Sequence, residues 1–587
     1  MKLRNFTFLA LTIFAVLIIF RLGMTSIDEK SPLQTSSNSF LSDPFLQLPT
    51  ENSVNVVWFT DFLGDAHEVV YGDNLEQKVI ANTKKLSRVR EDEKSQLDKT
   101  FTKPTVRDIW RHEATITGIT SNLRISYQVK STDEGKTLSS DVFTLASQPK
   151  SGTPLKILLT SDHQLMPMTA ANLQKVVETV DKIDGVFLAG DLVNIPDRAS
   201  EWFDDSRGGA FFPCLQGKAN YQLEKNGVKT SYRGGEIIQH APLFTAIGNH
   251  EVMGRFSDEK LLGEQFNDPI PQAVAEKYYQ EVKNQINPTG DTQIETAWIK
   301  DNSFNSDTYD EIFSLPSDRQ YYAVTFGDIR LVVLYVTNVW RTPNLGADVK
   351  GRYQEKEADL NQPLEWGYGQ HIFEPISKGS PQYSWLEQEL QSEAFQQAKY
   401  KIVMFHHPPH TLGGNVVPPY TDPQPVMEYS EDGTLRSRRY QYPIENDYII
   451  RDLIPLLETS GVQLVFYGHS HLWNRFVSPS GMHFLESSNV GNTYGAHLGD
   501  NKRPIPQTEF AKDNYAEVGD PNVLKAVTPT IAPLTDESGQ PLSYIASNDI
   551  TAFSIFDTET GTVSSYYYDT RQPDSPVVKF DEFKLID

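Results

Sequence analysis

Six short apolar runs that alternate with helical patterns constrain the fold of this chain more than any other feature. The runs lie at 156–160, 185–189, 243–247, 330–336, 400–405 and 462–467. Helical patterns lie between several of them, at 168–181, 383–395 and 447–458. Because strands that alternate with helices build a sheet covered by helices, the sequence predicts an α/β fold.

Three further segments complete this part of the chain. Residues 251–319 and 341–381 show no sustained pattern and are predicted to be long irregular insertions, which usually line the mouth of a functional site. Residues 550–570 predict a closing β-hairpin with its turn near Thr560 and Gly561.

The N-terminal part has a different pattern. Residues 54–148 contain short β-type runs separated by turn-rich or charged pieces, which predicts a small antiparallel β-sandwich. Residues 24–53 are rich in Ser, Thr, Pro, Asp and Asn and are predicted to be a tether. The segment PKSGTP at 149–154 is the predicted boundary, so a second domain is expected over 154–587.

The first 23 residues resemble an export signal. Lys2 and Arg4 precede an apolar run at 6–20 that is interrupted only by threonines. A cleaved signal peptide and an uncleaved membrane anchor are both compatible with this pattern. In either case the positive charges stay in the cytoplasm, so we expect the remainder to be extracytoplasmic, whether secreted, periplasmic or membrane-anchored.

Composition argues against nucleic-acid binding and excludes disulfide and thiolate-rich metal chemistry. The chain has 53 Lys and Arg against 77 Asp and Glu, a formal net charge of −24, which argues against a nucleic-acid-binding surface. Cys214 is the single cysteine, so an intrachain disulfide and a thiolate-rich metal site are both excluded. We expect Cys214 to be a small buried apolar residue rather than a nucleophile.

Five of the apolar runs end in a polar cluster. These clusters are SDHQ at 161–164, GD at 190–191, GNHE at 248–251, HHPPH at 406–410 and GHSH at 468–471. Because ligands of open α/β sheets bind beyond the carboxyl ends of strands, the five clusters are expected to converge. Each cluster alone also fits a turn or a helix cap, but five in this order, all at strand exits, predict a shared metal site.

The residue types indicate which chemistry such a site would perform. Carboxylate, amide and imidazole donors without thiolate suit Zn, Fe, Mn and similar ions. The candidates outnumber the ligands of one ion, which favours two ions bridged by a carboxylate. Such a pair lowers the pKa of bound water, provides a metal-bound hydroxide as nucleophile toward phosphorus, and neutralises charge on the phosphoryl oxygens.

The order SD, GD, GNHE, H-x-P and GHxH resembles the metallophosphoesterase superfamily over residues 154–587. Within it, GHSHLWNR at 468–475 and YSWLEQEL at 383–390 are similar to segments of the purple acid phosphatases. The segment around His112 resembles their fibronectin-like N-terminal domain. The resemblance implies a calcineurin-like phosphoesterase domain, a metallophosphoesterase-type β-sandwich flanked by helices, preceded by a fibronectin III-like sandwich.

The resemblance also implies a role for each residue at a matching position. The first ion would take Asp162, Asp191 and His471, and the second would take Asp191, Asn249, His406 and His469, with Asp191 as the bridge. His250 would be the general acid or the clamp for the leaving-group oxygen. His406 is preferred to His407 because it stands in the H-x-P register.

Two positions depart from the family pattern. Purple acid phosphatases have a tyrosine ligand three residues after the bridging aspartate, but Asn194 stands there, so their colour should be absent. Other metallophosphoesterases have a histidine two residues after the first aspartate, where this chain has Gln164, with His163 one place earlier. The first site therefore lacks one ligand, which Asn194, Gln164, His163 or water would supply. Zinc, manganese and calcium are therefore candidates for the metal at this site, in addition to iron.

These observations predict a phosphoric ester hydrolase with a phosphate ester as its partner, most similar to an acid phosphatase acting on monoesters. A phosphodiesterase acting on nucleotides or glycerophosphodiesters is the alternative enzyme, because the same two-metal core serves both reactions. A surface protein that binds metal or phosphate with little turnover is the third interpretation.

Overall fold

Two β-sheets packed face to face form the centre of the C-terminal part of this protein. The computed structural model describes residues 39–317, 319–342, 345–346, 353–414, 419–504 and 516–586. The predicted signal or anchor at 1–23, and residues 24–38 of the predicted tether, lie outside these ranges.

The first sheet has six strands, and the parallel ones carry three of the predicted polar clusters. In spatial order the strands are Leu243–Thr245, Gly185–Leu188, Lys156–Thr160, Ile550–Asp557, Thr562–Asp569 and Val578–Lys584. The first three pair in parallel, and the last three pair antiparallel. The predicted closing hairpin is therefore present, and it extends the sheet beyond Lys156–Thr160.

The second sheet has seven strands and carries the two histidine clusters. In spatial order they are Tyr322–Phe326, Ile329–Val333, Tyr400–Met404, Leu464–Tyr467, His483–Ser487, Trp473–Val477 and Tyr544–Ile545. The four from Ile329–Val333 to His483–Ser487 pair in parallel. The two sheets together give the mixed α/β architecture that the sequence predicts.

Side chains alternate between the two faces of each sheet, as the strand period requires. Ile157 and Leu159 pack with Leu331 and other residues of the second sheet in a core between the sheets. Leu158 lies on the opposite face and packs with helix residues such as Leu173. Each sheet is therefore buried on both faces.

Helices cover the outer faces. Those beside the first sheet are Thr169–Thr179, Ala199–Phe203 and Phe211–Leu215. Those beside the second are Pro381–Gln391, Glu393–Gln397, the π-helical turn Ile449–Leu453 and Ile454–Thr459. All three predicted helices are present; the second is interrupted at Ser392, whose side chain caps the next helix. Cys214 is fully buried, and burial raises the pKa of its thiol to about 12, as expected for an inert residue.

The prediction of two irregular insertions is wrong for the first and incomplete for the second. Residues 251–319 contain the helices Leu262–Phe266, Gln272–Ile286, Thr292–Asp301 and Asp307–Ile312. Residues 341–381 contain the short 3₁₀ turns Glu357–Asp359 and Pro363–Glu365, and the strand His371–Phe373, which pairs with Asn338–Trp340. The helices are hard to predict because their apolar faces are narrow and few of their side chains are buried.

The N-terminal region folds as two antiparallel sheets around their own apolar core, as predicted. One sheet contains Phe45–Gln47, Ser53–Thr60, Trp110–Thr117 and Asn82–Lys85, and the other contains Lys136–Ser139, Ile125–Asp133, Ala66–Tyr71, Gln77–Ile80 and Phe143–Leu145. Phe45–Gln47 is a buried strand, so the predicted tether is wrong from Ser39 onward. The division near 149–154 stays a prediction.

A charged segment of the N-terminal region is buried against the loop that follows the strand Gly185–Leu188. The Arg90 guanidinium lies 3.0 Å from the Asp197 carboxylate, and the two side chains are 2% and 3% exposed. Asp92 accepts hydrogen bonds from Arg198 at 3.1 and 3.3 Å and from the backbone N–H of Leu262 at 2.8 Å. The segment therefore holds the loop 191–201 from one side. Within the described ranges, no helix is long and apolar enough to cross a bilayer.

Candidate metal centre

The five polar clusters converge because they follow parallel strands that end at the same edge of the two sheets. Asp162, Asp191 and Asn249 come from the first sheet, and His406, His469 and His471 come from the second. All six side chains are buried. Their donor atoms form two groups that share the Asp191 carboxylate.

The first group is formed by Asp162, Asp191 and His471, whose ligand atoms all lie within 4.8 Å of one another. Nε2 of His471 is 3.2 Å from Oδ1 of Asp162. The backbone N–H of His469 points at both Asp162 oxygens, at 3.1 and 3.0 Å. Asp162 is therefore held by the same turn that presents the two histidines.

The second group surrounds Nε2 of His406. This atom lies 3.1 Å from Oδ2 of Asp191, 3.2 Å from Oδ1 of Asn249 and 3.2 Å from Nδ1 of His469. Nδ1 of His406 is 2.8 Å from the carbonyl oxygen of Ala189, which can only accept, so Nδ1 carries the proton of the neutral ring. The Nε2 lone pair then faces two oxygen acceptors, an arrangement that requires a cation or a second proton.

The electrostatics of His406 and Asp191 agree with this geometry. Burial alone lowers the pKa of His406, but the carboxylates of Asp191 and Asp162 outweigh it and raise that pKa to about 10. Burial acts to raise the pKa of Asp191, but His406, His250 and His469 more than offset it and lower that pKa. The site therefore favours a positive charge between these groups, and its imidazole, carboxylate and amide donors fit a transition-metal ion.

The turns that carry these ligands have strained backbones. Asp162, Asp191, His469 and His471 have positive φ angles of 58°, 56°, 81° and 56°. Non-glycine residues in this region are uncommon, and such residues cluster at functional sites where the surrounding structure holds them. The strain turns the side chains toward one point immediately after each strand ends.

Two glycines allow these turns to approach one another. A Cβ atom on Gly248 would overlap Oδ1 of Asp191, and one on Gly468 would overlap the side chains of Ser161 and Asp162. Both glycines are therefore required by close approach at the metal centre.

Two buried carboxylates brace the ligand turns, and neither is among the predicted site residues. Glu251 accepts hydrogen bonds from the backbone N–H groups of Asp191, Leu192 and Gly248 at 2.9, 2.7 and 2.6 Å. Glu486 accepts one from the backbone N–H of Ser470 at 2.7 Å. A signal was available for both: Glu251 ends the GNHE motif, and Glu486 is a charged residue directly after the apolar pair Phe484 and Leu485.

His250 lies beside the second group with its ring orientation fixed. Its backbone N–H donates to Oδ1 of Asp191 at 2.9 Å, and its Nδ1 is 2.7 Å from the carbonyl oxygen of Asn194. Because a carbonyl only accepts, Nδ1 carries a proton, and among the described residues Nε2 makes no hydrogen bond. The ring of His407 packs against that of His469 with centroids 3.8 Å apart, and a His407 ring nitrogen lies within 4.8 Å of ligand atoms of His406 and His469, so His407 adjoins the second group.

The three less certain candidates are placed differently. Nε2 of His163 bonds to Oγ1 of Thr160 at 2.9 Å, and its ring contacts Phe211, so this side chain is directed away from the donor groups. The Asn194 amide donates to the backbone oxygen of Gln164 at 2.7 Å. The Gln164 amide is 3.2 Å from Oδ2 of Asp191, so it adjoins the first group.

Asn492 also adjoins the first group, and no sequence pattern indicated it. Its amide is 3.2 Å from Oε1 of Gln164 and 3.5 Å from Nε2 of His471. Its Oδ1 atom is buried and has no hydrogen-bond partner among the described residues. The residue lies in an irregular segment after the strand His483–Ser487, where no pattern predicts a site.

Comparison with known proteins agrees with the fold and the donor groups. Residues 155–472, more than half of the chain, match the family model for calcineurin-like phosphoesterases, and the chain belongs to that family. The protein is therefore a metal-dependent phosphoesterase, and its substrate is a phosphate ester.

A solved structure of purple acid phosphatase PPD1 from seeds of yellow lupin (Lupinus luteus) is similar in fold. The TM-score is 0.50 with 13% sequence identity, and the match covers 92% of this chain and 74% of the lupin chain. The predicted resemblance to the purple acid phosphatase fold is confirmed. No curated protein matches this sequence.

Proposed function

We propose that this protein is an extracytoplasmic phosphomonoesterase, similar to an acid phosphatase, that holds two metal ions. The first ion would take Asp162, Asp191 and His471, and the second would take Asp191, Asn249, His406 and His469. The position of Asp191 carries the proposal, because its carboxylate belongs to the first donor group and also lies 3.1 Å from Nε2 of His406 in the second.

When bound, the two ions supply Lewis acidity toward the phosphoryl oxygens and a water of lowered pKa as the nucleophile. The protein contributes orientation and proton transfer. The Asn194 carbonyl holds Nδ1–H of His250, so in the imidazolium form the second proton is on Nε2, from which it would pass to the oxygen of the departing alcohol and leave the neutral ring. The link from His250 to Asp191 fixes the distance between this proton donor and the centre.

Gln164 is the proposed fourth donor at the first ion. Its Nε2 atom now faces the Asp191 carboxylate, while its Oε1 accepts from the Asn492 amide. Amide oxygen and nitrogen exchange places by a half-turn, and a half-turn of both amides would preserve the bond between them. It would also direct Oε1 of Gln164 toward Asp191 and give the buried Oδ1 of Asn492 a partner.

Metal content tests the role of Gln164 without relying on turnover. We expect Gln164→Ala to lower the affinity of one of the two ions by about 10- to 100-fold, as loss of ligands or their supports does at other metal sites. Elemental analysis after dialysis should then find one ion per chain. The exposed Gln96→Ala variant is the control, and two tightly held ions in Gln164→Ala would refute the assignment.

Hydrolysis of p-nitrophenyl phosphate and of its bis ester tests the monoesterase proposal. We expect faster turnover of the monoester by the metal-loaded protein, with an Asp191→Ala variant as the background. A strong preference for the bis ester would favour the phosphodiesterase alternative. Activity that never exceeds the Asp191→Ala background with any common divalent metal would favour a binding protein.

The proposed location rests on the sequence. Lys2 and Arg4 before the apolar run at 6–20 are typical of an export signal or an outward-facing anchor. Fusion of residues 1–53 to a reporter that is active only outside the cytoplasm tests this proposal, and an Lys2→Glu, Arg4→Glu double variant is the control. A reporter signal equal to that of an unfused reporter would contradict it.

A further inference from the structure

A small cleft opens beside His250 and is lined mainly by apolar side chains. Val252 and Val339 are buried in its lining, and the half-buried rings of Phe266 and Trp340 also line it. The free volume within the cleft is about 40 Å³, and the cleft opens to solvent. Because a cavity that encloses a benzene ring has about 150 Å³, an aromatic ring would pack against this lining from the solvent side and be only partly enclosed.

The two insertions build this cleft together. Phe266 ends the helix Leu262–Phe266 of the first insertion, and Trp340 ends the strand Asn338–Trp340 next to the second. The buried side chains of Arg341 and Asp268 form an ion pair at 2.6 Å that joins the two. This ion pair therefore holds the segments that carry Phe266 and Trp340 next to each other.

The lining favours an uncharged, flat group. The ring of His250 stacks on Phe266 with centroids 5.0 Å apart and an interplanar angle of 29°. Trp340 stacks on His371 at 5.5 Å and 23°, which fixes its orientation. The nearby Arg341 guanidinium is committed to Asp268, and the described lining contains no other acidic or basic side chain besides His250.

We propose that this cleft binds the leaving group of the substrate and selects phosphate esters of aromatic alcohols. The proposal rests on the proposed function, because it uses His250 as the residue next to the departing oxygen. A ring attached to that oxygen would lie beside His250 and contact the side chains of Phe266 and Trp340. Aromatic contacts and burial of the ring would then favour aryl over small alkyl esters.

Binding of two phosphonates to the metal-loaded protein tests the proposal without bond cleavage. We expect phenylphosphonate to bind about tenfold more tightly than methylphosphonate, a ratio typical of burying one aromatic ring. In Trp340→Ala the ratio should fall below about threefold, and Trp340→Phe should restore most of it. Trp110→Ala, a half-buried tryptophan of the N-terminal sandwich, is the matched control and should keep the full ratio.

Methylphosphonate affinity shows whether a variant still has an intact centre. Equal affinity of the wild-type protein for both phosphonates would overturn the proposal, as would an unchanged ratio in a Trp340→Ala variant that binds methylphosphonate normally. A clear phenylphosphonate preference in a protein that hydrolyses no phosphate ester would support the cleft and contradict the proposed function. Normal hydrolysis of phosphate esters without a preference for phenylphosphonate would support the proposed function and contradict the role of the cleft.

Discussion

The carboxylate of Glu251 accepts a hydrogen bond of 2.9 Å from the backbone N–H of Asp191, the proposed bridging ligand. The same carboxylate holds Leu192 and Gly248 and so joins two ligand turns of the first sheet. Glu251 is not itself a member of either donor group. It acts as a positioning residue for Asp191 and Asn249.

Replacing Glu251 by Gln should weaken both the fold and the metal centre. The amide would place its NH₂ group against backbone N–H donors, and at about 1–3 kcal/mol for each unsatisfied buried group we expect a loss of about 2–4 kcal/mol in the free energy of unfolding. Urea denaturation measures this loss, and elemental analysis should show weaker metal retention. Glu259→Gln, at an exposed position, is the control. Unchanged stability and metal content would contradict the bracing role.

Replacing Arg90 by Ala should destabilise the contact between the N-terminal sandwich and the loop 191–201. The substitution leaves the buried Asp197 carboxylate without its ion-pair partner, which typically costs about 3–5 kcal/mol. Thermal denaturation should show a lower midpoint, while the exposed Lys94→Ala variant should not differ from the wild type. An Arg90→Ala midpoint equal to that of Lys94→Ala would show that the contact adds no stability.

The N-terminal sandwich should lose stability in acid because it buries two stacked neutral histidines. The rings of His67 and His112 have centroids 3.6 Å apart. Burial, with the nearby His67 and Arg111, lowers the pKa of His112 to about 2, and burial also lowers that of His67. Below pH 6.5 the unfolded chain binds protons that the folded chain excludes, so the free energy of unfolding falls by up to about 1.4 kcal/mol per pH unit for each histidine.

Thermal midpoints measured from pH 7.5 to pH 5 test this prediction. His112→Gln can still bond to Thr60 and Thr83, the present partners of the ring, but it has no proton to gain. The pH dependence of its midpoint should therefore be smaller than that of the wild type. The half-exposed His240→Gln variant should keep the wild-type dependence. Equal slopes for His112→Gln and the wild type would exclude the stack as the cause.

Iron-loaded protein should lack the visible colour of purple acid phosphatases because Asn194 replaces their tyrosine ligand. The Asn194 side chain points to Gln164 beside the first donor group. We therefore expect Asn194→Tyr to gain a visible charge-transfer band with ferric iron, while Asn194→Phe stays colourless. Absorption spectra check this, and a band in the wild type would show that another phenolate reaches the ion.

Sequence patterns predicted the parts of this protein whose structure follows from a strong local pattern. The runs at 156–160, 185–189 and 400–405 became strands because each is apolar, short and bounded by turns. The convergence of Asp162 and His471 was predictable because parallel strands end at one edge of a sheet. The family resemblance then supplied the individual roles.

Other parts depend on contacts between distant residues, which one sequence does not display. The strand Phe45–Gln47 pairs with Ser53–Thr60 and lies beside residues near 238, so nothing local distinguishes it from a tether. Asn492 joins the first donor group only through the return of the chain after His483–Ser487. The cleft beside His250 requires two insertions to meet through Arg341 and Asp268.

Anomalous scattering from crystals of the metal-loaded protein tests the central claim most directly. The account predicts two peaks about 3.5–4 Å apart, on either side of the Asp191 carboxylate. One would lie against Asp162 and His471, and the other against Asn249, His406 and His469. A single peak, or peaks that do not contact Asp191, would contradict the account.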